Sequence, residues 1–270
     1  MGWEFLGIIF AVCCVLSAVG FYKFVYFLSI GYGFAVAGGG IAILVMALVK
    51  GWGEGLIWLA LIQCALFIAY GVRLSGFLLV RELKNASFKK TDVAQDTLAK
   101  NKEKKMPIFV LATIWLTVAV LYTAQVSPMF FRFYNRSTDI ILPLVGAGIS
   151  VFGLVLESIA DNQKSAQKKV RPDMVATQGL YKIVRCPNYL GEIIFWTGVF
   201  VSGVTTYSGV GQWVTAILAY VAIVYIMFNG AQRLEKRQMA RYGDNEEYNT
   251  YANKTPIIIP LLPIYHLNKK

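Results

Sequence analysis

The sequence holds one histidine, His266, and four cysteines, Cys13, Cys14, Cys64 and Cys186. No two cysteines form a CxxC pair, so no zinc or thiol-redox motif is present. A lone histidine near the end of the chain argues against a Ser-His-Asp triad. It also leaves haem and di-iron centres without their usual ligands, and no metal is expected. Charge is scarce as well: 15% of residues are charged, against about 25% in a soluble globular domain. The net charge of +11 comes with no recognition motif, so nucleic acid is not an expected partner. Glycine-rich Gly31–Gly40, GYGFAVAGGG, lacks the GxGxxG spacing and the preceding strand of a phosphate loop. It reads instead as small residues for close helix packing. The N-terminus has no basic stretch before its apolar run and carries Glu4, so a retained first span is expected rather than a cleaved signal.

What is abundant is apolar residue. The 270 residues are 57% hydrophobic with a mean hydropathy of +0.55, the composition of a polytopic membrane protein. Seven apolar segments approach the roughly 20 residues that a span requires. They cover 5–22, 25–48, 54–80, 107–127, 139–160, 188–207 and 210–230. The expected fold is all-α: a transmembrane helical bundle of about seven spans with a small cytoplasmic cap. Basic residues concentrate in 81–106, 161–187 and the tail after 230, and alternate with poorly charged connections. The alternation predicts an N-terminus outside and a C-terminus in the cytoplasm. Asn135-Arg136-Ser137 is a glycosylation triplet on the predicted outer side.

The stretch Glu157–Glu192 carries most of the chemistry-bearing residues. Glu157, Asp161, Lys164 and Lys168 are spaced four, three and four apart, one stripe on a helix. A solvated helix end explains the lysines. Glu157 closes the apolar run VFGLVLE, and an intramembrane acid is a functional hypothesis by default. Next come Tyr181, Lys182 and Arg185, then Pro187, which suits the first turn of a new helix. Asn188, Tyr189 and Glu192 follow in its opening turns, where free amides and the helix dipole favour phosphate. The other reading of this run is an interfacial anchor of tyrosine and arginine. In the third span Gln63, Tyr70, Arg73 and Arg81 form a polar stripe. Arg81 can snorkel, whereas Arg73 lies about two turns deeper and needs a carboxylate, a phosphate or a buried ion pair. In the tail, Glu235 sits nearest the membrane end of the seventh span, and Tyr242, Tyr248 and Tyr251 read as interfacial.

These residues resemble a known family. Glu157-x-x-Ala160-Asp161-x-Gln163-Lys164, then Gly179-Leu-Tyr181, then Arg185-Cys-Pro187-Asn188-Tyr189-x-Gly191-Glu192 are similar to the C-terminal domain of the membrane steroid 5α-reductases, relatives of the sterol reductases. The tail from Glu235 through Arg241-Tyr242-Gly243, Tyr248 and Tyr251 is similar too, as is Arg73–Arg81. The resemblance covers roughly 65–265. It divides the chain into apolar N-terminal spans, 1–60, and a reductase-like domain with cofactor-binding loops, 61–270. It implies NADPH-dependent reduction of a C=C bond conjugated to a ketone, in an apolar, steroid- or lipid-like substrate that enters laterally from the bilayer, with membrane lipids as the other expected partner. On this resemblance Tyr70 polarises the substrate carbonyl. Arg73, Glu157, Asp161, Lys164, Lys168, Tyr181, Arg185, Asn188, Tyr189, Glu192 and Glu235 serve the cofactor. Two departures stand out: Cys186 replaces a histidine found in many relatives, and the second span carries no acid where the steroid enzymes place a glutamate. Isoprenylcysteine carboxyl methyltransferases, which bind S-adenosylmethionine, share part of the Tyr181–Tyr189 run. A non-catalytic lipid-binding protein of the same fold is the third alternative.

Overall fold

The computed structural model describes residues 2–52, 55–76, 78, 79 and 107–268. The basic segment 81–106, with Arg81, lies outside the described residues. Those described are helical, with no strand among them. Eight α-helices follow in order: α1 Trp3–Ser17, α2 Ile30–Val49, α3 Ile57–Gly71, α4 Ile108–Tyr134, α5 Ile141–Val170, α6 Pro187–Gly203, α7 Val210–Tyr242 and α8 Glu246–Lys254. Six helical stretches are long and apolar enough to cross a membrane, which makes this an integral membrane protein. They contain α1 to α5 and α7; α6, at 17 residues, is the seventh apolar helix.

Helix ends differ from the apolar limits in an instructive way. Hydropathy stops at 160 and 230, yet α5 runs to Val170 and α7 to Tyr242. Helix propensity and i,i+4 contacts carry the backbone past the point where the side chains turn polar. Helix α4 continues to Tyr134, past the expected 127, through Pro128. Proline cannot donate to the carbonyl four residues back. The Ser127 hydroxyl donates to that carbonyl of Ala124 instead, at 2.7 Å. The third span departs from a straight helix: α3 ends at Gly71 and Val72–Gly76 forms a π turn.

The chain forms two compact units, Met1–Ile140 with Gly203–Ala216, and Ile141–Ser202 with Ile217–Lys270. In the first, α2 packs on α3 backbone to backbone. A Cβ on Gly71 would lie 2.2 Å from the Gly33 carbonyl oxygen, so only glycine fits. The Ser75 hydroxyl donates to the Ile30 carbonyl at 2.7 Å across the same seam. The glycine-rich stretch is therefore a packing surface, as its small residues predict. In the second unit α5 and α6 meet at Gly146 with Gly198 and at Gly153 with Gly191 and Phe195. Ser150 donates to the Phe195 carbonyl beside them.

Candidate functional site

In the first unit the polar residues of α3 meet tyrosines from α2 and α4. Tyr70 is fully buried. Its ring stands edge-on to Tyr32, with centroids 5.7 Å apart, and Tyr32 stacks on Tyr122 at 4.9 Å. The Tyr122 hydroxyl donates to the Phe27 carbonyl at 2.6 Å. The Gln125 amide makes a long 3.5 Å contact to the Tyr32 hydroxyl. The Gln63 Nε2 and Gln125 Oε1 atoms are buried without hydrogen bonds. Spacing of seven puts Gln63 and Tyr70 on one face of α3, as expected. Arg73 falls on the π turn and is half-buried. Its position one turn after Tyr70 is thus set by an irregular backbone, the kind of insertion that recurs at functional sites. Tyr32, Tyr122 and Gln125 escaped the sequence reading. Each sits in an unbroken apolar run with no charge to draw notice.

In the second unit the stripe of Glu157, Asp161, Lys164 and Lys168 lies on one continuous helix, α5. Glu157 is buried, backed by α6: a Cβ on Gly191 would lie 2.7 Å from the Glu157 Cβ. Asp161, Lys164 and Lys168 are half-buried. Lys168 donates to the Tyr242 hydroxyl at 2.9 Å and to the Pro172 carbonyl at 3.2 Å, tying α5 to the end of α7. Two glutamines of α5 hold the following loop. Gln163 Oε1 accepts from the Leu180 amide at 2.8 Å, and Gln167 Oε1 accepts from the amides of Thr177 and Gln178 at 2.9 Å. Gly179 between them has φ +68°, which glycine adopts without strain. The loop ends at Tyr181, whose hydroxyl donates to the Ala160 carbonyl and whose own carbonyl accepts from Tyr251 at 2.7 Å.

Arg185 and Glu235 form a buried ion pair at 2.7 Å. Glu235 also accepts from the amides of Leu267 and Asn268 at 2.8 and 3.1 Å, and from the Asn268 side chain at 3.0 Å. His266 Nδ1 lies 2.8 Å from it. Arg185 donates to the Tyr265 carbonyl, and the amides of Arg185 and Cys186 donate to the carbonyls of Pro256 and Ile257 at 2.8 and 2.9 Å. The pair clips the C-terminal segment onto the start of α6 and onto α7. The Tyr248 hydroxyl is buried beside the Arg185 guanidinium. Cys186 stays a thiol, since burial pushes it up to about 12. Helix α6 does begin at Pro187, with Asn188 and Tyr189 half-buried in its first turn. The amides of Tyr189 and Leu190 both donate to the Cys186 carbonyl, which uses up most of the expected phosphate-facing donors. Glu192 is buried and accepts from the Trp196 indole at 3.2 Å.

The match to a family is decided over most of this length. The model for DUF1295, described as a protein of unknown function, matches residues 33–255. The chain belongs to the DUF1295 family. No curated protein and no solved structure matches it. The DUF1295 match takes in α2 from Gly33 onward, both glycine seams, Tyr70 and Tyr122, the α5 stripe and the Arg185–Glu235 pair, and leaves out α1 and Tyr32. It stops at Thr255, before the segment that Glu235 and Arg185 hold. Among the described residues of this DUF1295 chain no His/Cys/Asp/Glu group could hold a metal ion.

Proposed function

We propose that the chain is an integral membrane oxidoreductase that reduces a C=C bond conjugated to a ketone in an apolar, steroid- or lipid-like substrate, with NADPH. The observation that carries this reading is Tyr70: a phenol buried in a tyrosine cluster inside an apolar helix, one turn before Arg73 on a π turn. The motif resemblance in α5, α6 and the tail supports the choice of cofactor. The second unit suits a phosphorylated, anionic dinucleotide. It carries Lys164, Lys168, Lys182 and Arg185 close in sequence. Arg73, Glu157, Asp161, Tyr181, Asn188, Tyr189, Glu192 and Glu235 complete the proposed cofactor set. For Glu235 and Tyr181 the proposed role is to hold the tail and the loop in place.

NADPH, when bound, supplies the hydride that goes to the β-carbon. The Tyr70 hydroxyl donates to the substrate carbonyl oxygen and stabilises the enolate charge that develops there. Tyr32, packed edge-on, holds the Tyr70 ring in place. A proton then reaches the α-carbon and the ketone re-forms. The second span carries no acid that could donate this proton. The N-terminus is proposed to lie outside and the C-terminus in the cytoplasm, where NADPH is available.

The test is binding of NADPH, NADH and S-adenosylmethionine, side by side, to the detergent-purified protein. NADPH binding, followed by turnover in an enone screen, supports the proposal. S-adenosylmethionine binding alone moves the chain to methyl transfer. Binding of none of the three, with lipid retained, leaves a non-catalytic lipid-binding protein. In the active protein Tyr70→Phe should lower turnover by roughly 10²–10³-fold with NADPH affinity unchanged. Unchanged turnover would remove Tyr70 from the mechanism.

A further inference from the structure

Arg132 lies in the last turn of α4 and is 5% exposed. None of its three guanidinium nitrogens makes a hydrogen bond. Arginine keeps its charge in proteins and brings five N–H donors. Taking such an ion out of water without partners costs several kcal/mol, by order of magnitude. The polar groups around this end of the first unit are already engaged. Asn135 and Gln212 exchange hydrogen bonds, and Asn135 also donates to the Thr206 carbonyl at 2.7 Å. Gln212 accepts from the Ser208 amide, and Asp139 accepts from the Thr205 hydroxyl at 2.6 Å. Asp139 forms no hydrogen bond with Arg132. The guanidinium is therefore the strong donor at this end that the protein does not itself satisfy.

The same end carries a belt of aromatic rings. Trp52 lies against Phe5, Phe130 and Tyr134, with centroids 4.8, 6.1 and 5.6 Å away. Phe131 meets Tyr207, which meets Trp213 at 4.9 Å. Most of these rings are buried. Arg132 stands in the last turn of a 27-residue apolar helix, which places it near one face of the membrane. An arginine at this depth ordinarily snorkels into water; this one is folded inward. Trp3 and Val210, 69% and 79% exposed, offer apolar surface for acyl chains near the same end. We propose that Arg132 anchors the phosphodiester of a membrane lipid at this end of the first unit. Phosphate oxygens match the guanidinium fork in a bidentate pair. The long side chain reaches them by rotating about its own bonds, with α4 unmoved. The site is independent of the proposed reductase chemistry.

The experiment uses the full chain, stripped of lipid in detergent, and native mass spectrometry with thermal melting. The probes are dioleoylphosphatidylglycerol, dioleoylglycerol and inorganic phosphate. The expected result is an adduct and a raised Tm with phosphatidylglycerol, and neither with dioleoylglycerol. Inorganic phosphate at millimolar concentration should not compete. Arg132→Met should weaken the phosphatidylglycerol adduct roughly tenfold or more. Without lipid it should melt no lower than the native protein, because it removes an unpaired buried charge. Arg132→Lys, which keeps the charge but loses the fork, should fall between, and it serves if the methionine variant does not fold. Equal binding of the two lipids, or equal phosphatidylglycerol binding by native protein and both variants, would overturn the site. Saturable binding of inorganic phosphate with the affinity of the lipid would make it a site for free anions and overturn the lipid assignment.

Discussion

At the scale of single residues, the buried charges of the second unit sort by how completely they are satisfied. Glu235 accepts from Arg185, two backbone amides and the Asn268 side chain, with His266 beside it, so its desolvation is offset by several charge-assisted bonds. Such an arrangement is costly to break from one side. Glu235→Ala should destabilise the protein by about 3–5 kcal/mol, because it strands the Arg185 guanidinium in a buried site. It should also release the C-terminal segment. Limited trypsin digestion after Lys254 would report that directly, and a protected tail in the variant would contradict it. Arg185→Ala should cost a similar amount, and the double variant clearly less than the sum of the two. This separates holding the tail from any direct part in cofactor binding: loss of NADPH affinity with an intact tail would assign Arg185 to the dinucleotide. Asn135 makes a smaller point of the same kind. Its side-chain nitrogen, which a glycan would need, already donates to Thr206 and Gln212.

At the scale of elements, the α2–α3 seam depends on absent side chains. Gly71 and Gly33 let two backbones touch, and the neighbour a Cβ would meet is a carbonyl oxygen that cannot turn away. Gly71→Ala should cost about 1–3 kcal/mol by forcing the helices apart. Because Tyr70 precedes Gly71, it should also disturb the Tyr70–Tyr32 packing; a melting curve and an activity assay on one preparation would show the two losses together. Helix α8 rests on weaker forces. Asn245 caps it by accepting from the amides of Glu247 and Tyr248. Glu247 pairs with Arg171 through two bonds of 3.0 and 2.9 Å. The hydrogen-bonded Arg171 holds the Glu247 carboxyl below its usual range. A carboxylate lowered in the folded state contributes stability that is present above its unfolded pKa and lost as pH falls through the folded value. Both side chains are about half exposed, so the contribution is small. Amide exchange in Glu246–Lys254, corrected for intrinsic rates, should quicken between about pH 5 and about pH 3. In Glu247→Gln that added dependence should vanish. Identical pH profiles would remove the pair from the account.

For the whole molecule, the outline was readable and the site was readable in part. Among the described residues each of the seven apolar segments is mainly helical, because sustained apolarity over about 20 residues leaves a backbone in lipid little alternative to satisfying itself internally. The α5 stripe was equally plain, since helical spacing alone places Glu157, Asp161, Lys164 and Lys168 on one face. The surroundings of Tyr70 were not, because an aromatic among aliphatics carries no sign of which helix it will face. The Arg185–Glu235 pair was hidden for another reason: fifty residues separate its members, and both look like good cofactor ligands. Dinucleotide binding remains the measurement that decides whether the second unit is a cofactor site as well as a clamp.

Taken by itself, the amino-acid sequence determined the membrane class, the helical fold and the approximate place of the apolar helices, since these follow from composition, period and local spacing. Only the tertiary structure decided partnership. It paired Gly33 with Gly71, surrounded Tyr70 with Tyr32 and Tyr122, closed Arg185 on Glu235, and left Arg132 buried with its donors unused. The physical reason is range: periodicity and hydropathy act between neighbours in the chain, whereas pairing and desolvation depend on which distant atoms packing brings within about 3 Å.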